Sequence, residues 1–294
     1  MESIELAKQK FGELIAEEYQ RIERMKADNE VKDFSKMEKI VVGILPGDGI
    51  GPIIMKQALR VLDDLMGPEI ASGRVEVRTI EGMTIENRAA KLQSLPDEVF
   101  EEVKQCNVLL KGPMVTPRAS DPWPNLISAN SLLRRGLELF AAVRPIRIPE
   151  KNIDWTFFRE NIEGEYIWGN KGIQVNEDLA VDFKVQTKQG SERIARAAFE
   201  FARKNGKKNV TIVTKANIVK LADGNFKVRI HLDLNREFER LSESFNNGRL
   251  YLFFCFYFRN SEARTSQTRL DKTRQANLFH YFLVRNRLSL AQQQ

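Results

Sequence analysis

Apolar positions along residues 4–28 recur at spacings near three and four, with Ile4, Leu6, Phe11, Leu14, Ile15, Tyr19 and Ile22 set between charged side chains. That period is helical and predicts an appended amphipathic helix, solvated or partner-bound and without chemistry of its own. KIVVGIL, 39–45, is a short β-branched apolar run, the pattern of a buried strand. PGDGIG follows it, and PIIMKQALRVLDDLM, 52–66, returns to helical spacing with Pro52 in the first turn. RVEVRTIEG, 74–82, alternates as a strand, Ser94–Lys104 opens as a capped helix at Pro96, Asp97 and Glu98, and NVLLKGP, 107–113, is a second buried strand.

Residues 117–127 carry Pro and Ser and predict a surface loop. SANSLLRRGLELF, 128–140, is helical, AAVRPIRI, 141–148, extended, and DWTFFREN, 154–161, a strand running into polar residues. Residues 172–188 alternate between turn residues, which predicts a protruding β-arm. SERIARAAFEFARKNG, 191–206, is an amphipathic helix with Ser191 as its cap and Gly206 as its stop. NVTIVTKANI, 209–218, is a buried strand leading into polar residues. Strands alternating with helices predict a layered α/β fold. No internal repeat is visible.

Composition changes this picture at one place. The net charge of +6 suggests nucleic acid, yet residues 227–294 hold 12 Lys/Arg against 6 Asp/Glu, so the first 226 residues are neutral. The same tail holds both histidines and 11 of the 26 aromatics. A basic aromatic tail could contact RNA, but no RNA-binding motif accompanies it, and no nucleic-acid partner is expected. The opening residues lack an apolar stretch of signal length, and LYLFFCFYF, 250–258, is far too short to span a bilayer, so neither a secretory leader nor a membrane is expected. Two cysteines build no disulfide framework, which makes a reducing cytoplasm the expected location.

Three groups of residues are candidates for chemistry. PGDGIGP, 46–52, sits between a strand and a helix, and reads either as a dinucleotide loop or as a tight strand–helix turn. Arg134, Arg144 and Arg159 lie beside apolar segments, where a charge needs a partner. They are either internal ion pairs or guanidinium forks for a substrate with two or three carboxylates. Tyr166 and Lys215 each follow a strand-like segment at the mouth of an α/β layer, where ligands usually bind, and such a pair can relay protons.

VGILPGDGIGP, LLKGPMVTP, SANSLLRRGLELFAAVRPIR, FFRENIEGEYIWG and TKANIVKLADGNF stand in the order and spacing of the isocitrate/isopropylmalate dehydrogenases. Five blocks in register over residues 39–226 resemble that family, and the stretch from Arg159 to Tyr166 is the most diagnostic. The resemblance implies a two-domain α/β/α fold and a homodimer whose active sites draw on both subunits. It also implies an oxidoreductase that takes hydride from a 2-hydroxy di- or tricarboxylic acid to NAD or NADP and releases carbon dioxide with Mg²⁺ or Mn²⁺. Isocitrate to 2-oxoglutarate, a tricarboxylic acid cycle reaction, is the expected case, because Ser-Ala-Asn at 128–130 is similar to the isocitrate branch. Ser128, Asn130, Arg134, Arg144 and Arg159 would hold the substrate carboxylates. Tyr166 would be the general acid, Lys215 would reach into the partner subunit's site to assist the hydroxyl proton, and Thr116 and Asn217 would lie near the nicotinamide.

After Phe226 the resemblance stops, and with it any recognisable metal-binding aspartates or adenosine-binding stretch, so the metal ligands are unknown and the C-terminal part of the large domain is missing from the pattern. The expected division is a helical extension, 1–37; the first part of the large α/β domain, 38–139; a small domain, 140–226, with the β-arm near 172–188; and a divergent tail, 227–294. The tail's composition points to an altered reading frame or disrupted gene end, and it is expected to pack poorly, since nothing in it is patterned to complete a doubly wound sheet. The alternative function is therefore a truncated, inactive family relic that retains partial substrate binding.

Overall fold

The computed structural model describes residues 2–27, 33–151, 153–169, 171–207, 209–229, 253–259 and 282–284. Helix α1 is Glu2–Ala27, followed by strand β1 (Ile40–Leu45), helix α2 (Gly51–Ala71), β2 (Val75–Thr79), α3 (Ile85–Ala90), α4 (Asp97–Lys104), β3 (Val108–Lys111) and α5 (Ala129–Gly136). Then come β4 (Ala141–Ile148), β5 (Ile153–Glu160), the short pair β6 (Ile173–Gln174) and β7 (Ala180–Val181), α6 (Lys188–Lys204), β8 (Asn209–Val213), β9 (Phe253–Arg259) and β10 (Phe282–Val284). Among the described residues no helix is long and apolar enough to cross a membrane.

Two compact units result. The second comprises Val31–Leu139 with Arg264–Gln294, and its sheet runs β10-β3-β1-β2, with β1 parallel to both β2 and β3 and β10 antiparallel at the edge. Period two along β1 explains why the sheet is covered on both faces. Val42 and Ile44 face a cluster with Met55 of α2, Val75 and Leu110, while Leu45 joins Val99, Val103, Leu109 and Leu133 on the other side. Such a doubly covered parallel sheet is the α/β architecture expected from the sequence.

The first unit comprises Met1–Glu30 with Phe140–Ala263. Its sheet is antiparallel in the order β4-β5-β9-β8. Helix α6 packs on one face, where Phe158 meets Phe201 with ring centroids 5.2 Å apart. Within residues 172–188, β6 and β7 form a two-stranded hairpin.

Four expectations need correction. Helix α1 is not a free extension: Leu14, Glu18 and Arg21 are buried, and the apolar stripe that defined the helix, including Ile4, Leu6 and Tyr19, is largely exposed. The tail also supplies ordered strands where poor packing was expected: β9 lies between β5 and β8 in the antiparallel sheet, and β10 lies at the edge of the other sheet without entering its centre; the aromatic run of β9 favours a strand. The rest of 227–294 lies almost wholly outside the described residues. Ser191 does not cap α6. Thr187 does, its Oγ1 accepting from Gly190 N at 2.9 Å, while Ser191 Oγ sits one turn inside and donates to Thr187 O. Helix α2 runs on through Gly67 and Pro68 to Ala71 instead of ending at Met66, and α5 stops at Gly136, with Glu138 in a left-handed conformation at φ 50°.

Candidate active site

In the first unit, residue parity places two arginines together. Ala142 pairs with Arg159 across β4 and β5, so Arg144, two residues on, projects from the same face as Arg159. Strand β8 runs parallel to β5, since each is antiparallel to β9. The ends of β5 and β8, and the start of β4, therefore lie at one end of the sheet; Arg159, the loop to Tyr166 and Lys215 issue there, and Arg144 lies three residues into β4. The Arg159 guanidinium carbon lies 5.2 Å from the centroid of the Tyr166 ring, a cation–π arrangement that orders both side chains. Arg159 Nη2 donates to Asn161 Oδ1 at 3.3 Å, while its buried Nε has no protein acceptor. Tyr166 is 44% exposed, and Lys215 and Asn217 are exposed in the turn after β8.

The loop that carries Tyr166 is set by two buried glutamates. Glu160 Oε1 accepts from the backbone N–H groups of Asn161, Ile162 and Glu163 at 2.9–3.0 Å, folding the chain around one carboxylate oxygen. Oε2 of Glu160 is buried without a partner. Burial pushes the Glu160 carboxyl up to about 7, the neighbouring Glu163 pushes in the same direction, and Arg193 opposes both. Glu163 accepts from Thr187 Oγ1 at 2.6 Å, Thr187 N and Gln186 Nε2 at 2.9 Å, and Arg21 Nη1 at 3.0 Å. Gly164 and Val185 exchange backbone hydrogen bonds beside it.

Two residues that the sequence reading passed over tie this loop to Lys215. Asp223 is fully buried, and its Oδ2 accepts from Lys215 N at 2.7 Å. Lys184 Nζ lies 2.7 Å from Asp223 Oδ1 and 3.1 Å from Glu165 Oε1, next to Tyr166. Burial works against the Lys184 charge, but these ion pairs outweigh it and hold its pKa above the ordinary lysine value.

In the second unit Ser128 is the N-cap of α5, its Oγ accepting from Ser131 N at 3.4 Å. Asn130 and Arg134 are four residues apart on that helix and share a face. Lys111, also passed over, ends β3 in a buried position and donates to Gly112 O at 2.8 Å. Burial lowers its pKa to about 8, and the like charge of Arg134 adds to the effect. Thr116 is exposed in the loop after β3. The preceding residue is anchored, because Val115 N donates to Asp48 Oδ2 at 2.7 Å, as does Arg88 Nη2 at 2.8 Å.

The glycines of 46–51 favour the tight-turn reading. A Cβ on Gly47 would stand 2.2 Å from Pro113 O, and one on Gly112 would stand 2.0 Å from Pro46 O. Both glycines let two backbone loops touch, and Asp48 N donates to Pro113 O at 2.7 Å across the contact. The loop is filled by its neighbour and does not form an open phosphate cradle. Among the described residues no three His, Cys, Asp or Glu side chains cluster in a way that could hold a metal ion.

The sequence profile of the isocitrate/isopropylmalate dehydrogenases matches residues 41–243, past Phe226. The chain is 39% identical over 193 residues to regulatory subunit 3 of the mitochondrial NAD isocitrate dehydrogenase of Arabidopsis thaliana, covering 63% of this chain and 47% of that one. It is 34% identical over 213 residues to the NADP isocitrate dehydrogenase of Thermus thermophilus, covering 70% and 39%, and 31% identical over 201 residues to the homoisocitrate dehydrogenase of Methanocaldococcus jannaschii, covering 63% and 54%. Among solved structures it is similar to isocitrate dehydrogenase from Methylococcus capsulatus, at a TM-score of 0.55, 30% identity, and coverage of 72% of this chain and 60% of that one. The chain spans about half the length of the curated relatives it matches.

Proposed function

Since the chain belongs to the isocitrate/isopropylmalate dehydrogenase family, we propose that it binds a 2-hydroxy di- or tricarboxylic acid for oxidative decarboxylation, with isocitrate giving 2-oxoglutarate as the first candidate. The observation that supports this best is the common face of Arg144 and Arg159 beside the loop to Tyr166, with Arg159 stacked on the Tyr166 ring. Two guanidinium groups on one face present parallel N–H donors to a carboxylate, a geometry that an ammonium group does not reproduce. In the second unit Ser128, Asn130 and Arg134 are carboxylate-binding candidates by family resemblance, and buried Lys111 adds positive charge beside Arg134.

Tyr166 then delivers a proton to the enolate carbon, its ring held in place against the Arg159 guanidinium. Lys215 takes part in proton transfer at the substrate hydroxyl, acting in the site of the partner subunit of a homodimer. By the family resemblance NAD or NADP, with Thr116 and Asn217 each a candidate contact, would supply a hydride acceptor, and Mg²⁺ or Mn²⁺ a Lewis acid. The described residues assemble neither an acid cluster nor a phosphate cradle, so the steps assigned here are those of the side chains alone.

The test is calorimetric binding and nicotinamide reduction with isocitrate, homoisocitrate, 3-isopropylmalate and malate, each with and without Mg²⁺. Isocitrate binding with metal-dependent reduction of NAD or NADP supports the proposal. Binding without turnover assigns the chain to the inactive alternative, and absence of binding by all four acids overturns the carboxylate reading.

A further inference from the structure

Helix α1 lies outside the family-matched residues, 41–243, yet it grips the segment of that region that carries Tyr166. Its buried face has charged residues where a core-facing helix usually has apolar ones: Leu14, Glu18 and Arg21 follow an i, i+4, i+7 spacing on one side. Arg21 Nη1 reaches Glu163 Oε1 at 3.0 Å and Glu18 Oε1 at 2.6 Å, with all three side chains buried. Farther along the loop Lys171 pairs with Glu17, and Lys10 Nζ donates to Gly172 O at 2.9 Å. Phe11 stacks on Phe183 at 5.2 Å, and Phe183 in turn meets the edge of Trp168 at 5.5 Å. The helix thus holds the loop on both sides of Tyr166, before it at Glu163 and after it at Trp168 and Gly172.

We propose that α1 is a brace for the Tyr166 loop and that Arg21 is its positioning residue, acting through Glu163. The role in substrate binding rests on the reading of Tyr166 and Arg159 as site residues; the brace itself does not. A buried carboxylate that loses its cation must shed its charge or find water, and Glu163 also fixes Gln186 and Thr187, so the loop loosens from this point. A merely amphipathic cover would place no ion pair here.

The experiment compares the full chain with Arg21→Met, Arg21→Lys and the double variant Arg21→Met/Glu163→Gln, using amide hydrogen exchange without substrate and calorimetry with isocitrate. In Arg21→Met, exchange in peptides covering 161–169 should rise about tenfold, while peptides from β1, β3 and the middle of α6 keep their rates. Isocitrate affinity should fall roughly three- to thirtyfold, the range that coupling through a packed network spans. Arg21→Lys should restore part of both, and the double variant should recover protection, because the uncompensated charge is gone. Unchanged exchange at 161–169, or a uniform rise through α6, β4 and β5, overturns the brace. If Arg21→Met yields no folded chain, Phe11→Ala takes its place under the same criteria. If the loop loosens as expected but the unaltered chain binds no isocitrate, the brace stands and the functional reading of the loop falls.

Discussion

At the scale of single residues the outcome turns on where charge is buried. Glu160 holds its proton to about pH 7 in the fold against an ordinary carboxyl value of 4.5. Between those values the folded state binds more protons than the unfolded one, so stability should decline as pH rises from about 4.5 through 7, then level off. Urea midpoints measured from pH 5 to pH 8 should show this slope, and Glu160→Gln should flatten it; an equal slope in that variant would assign the effect to another group. Arg159 tests the clamp. Arg159→Lys keeps the charge but loses the planar fork and the stacking on Tyr166, and isocitrate should bind roughly ten- to a hundredfold more weakly, the effect of losing a charge-assisted hydrogen bond. Tyr166→Phe should mainly lower kcat and leave KM within a factor of about three, since the proton is transferred only in the chemical step. A KM effect larger than the kcat effect would recast Tyr166 as a binding residue. The grouping of Arg144, Arg159 and Tyr166 as neighbours was legible because a motif fixes their order along the chain. Lys184, Asp223 and Arg21 were not, because their partners lie 39, 8 and 142 residues away and ion pairing at such distances leaves no periodic trace.

Among the elements, α6 shows how a local rule selects the wrong residue. Ser191 before an apolar-periodic run is a sound capping signal, and the strands and helices around it were legible from period alone. The sequence TKQG four residues earlier adds one more turn, and Thr187 makes a second bond, to Glu163, that no local pattern encodes. Thr187→Ala removes the cap, worth about 1–2 kcal/mol, and a hydrogen bond to a buried carboxylate, worth about 1.5–3 kcal/mol. Urea unfolding should therefore register a loss of about 2.5–5 kcal/mol, with Thr187→Ser retaining most of the stability. Loss of less than about 0.5 kcal/mol would show that Glu163 is satisfied without Thr187. Helix α1 was legible as a helix, but its buried face was not. Most of the apolar stripe faces solvent, with Leu14 buried and Phe11 on Phe183 as its inward members, and the buried charges are recognisable only by knowing that Glu163 waits opposite Arg21.

On the scale of the whole molecule, β9 joins β5 to β8, and both strands would present unpaired edges without it. Deleting residues 253–259 should convert the chain to soluble aggregates by size-exclusion chromatography, whereas an unchanged elution volume would mean that the sheet closes without this strand. The α/β class was legible throughout residues 39–226 because alternation of periods survives any local change; the tail's strand was misjudged because composition was weighed above its β-forming run. The first unit is also assembled from distant pieces, with α1 at one end and the Tyr166 loop and Thr187 far downstream. On the ribosome, α1 emerges before its partners, which follow about 160 residues later, roughly 8–32 s at ordinary elongation rates. Throughout that interval α1 presents Arg21, Glu18 and Leu14 without their dock, so this helix can be held in place only after the Tyr166 loop has been made.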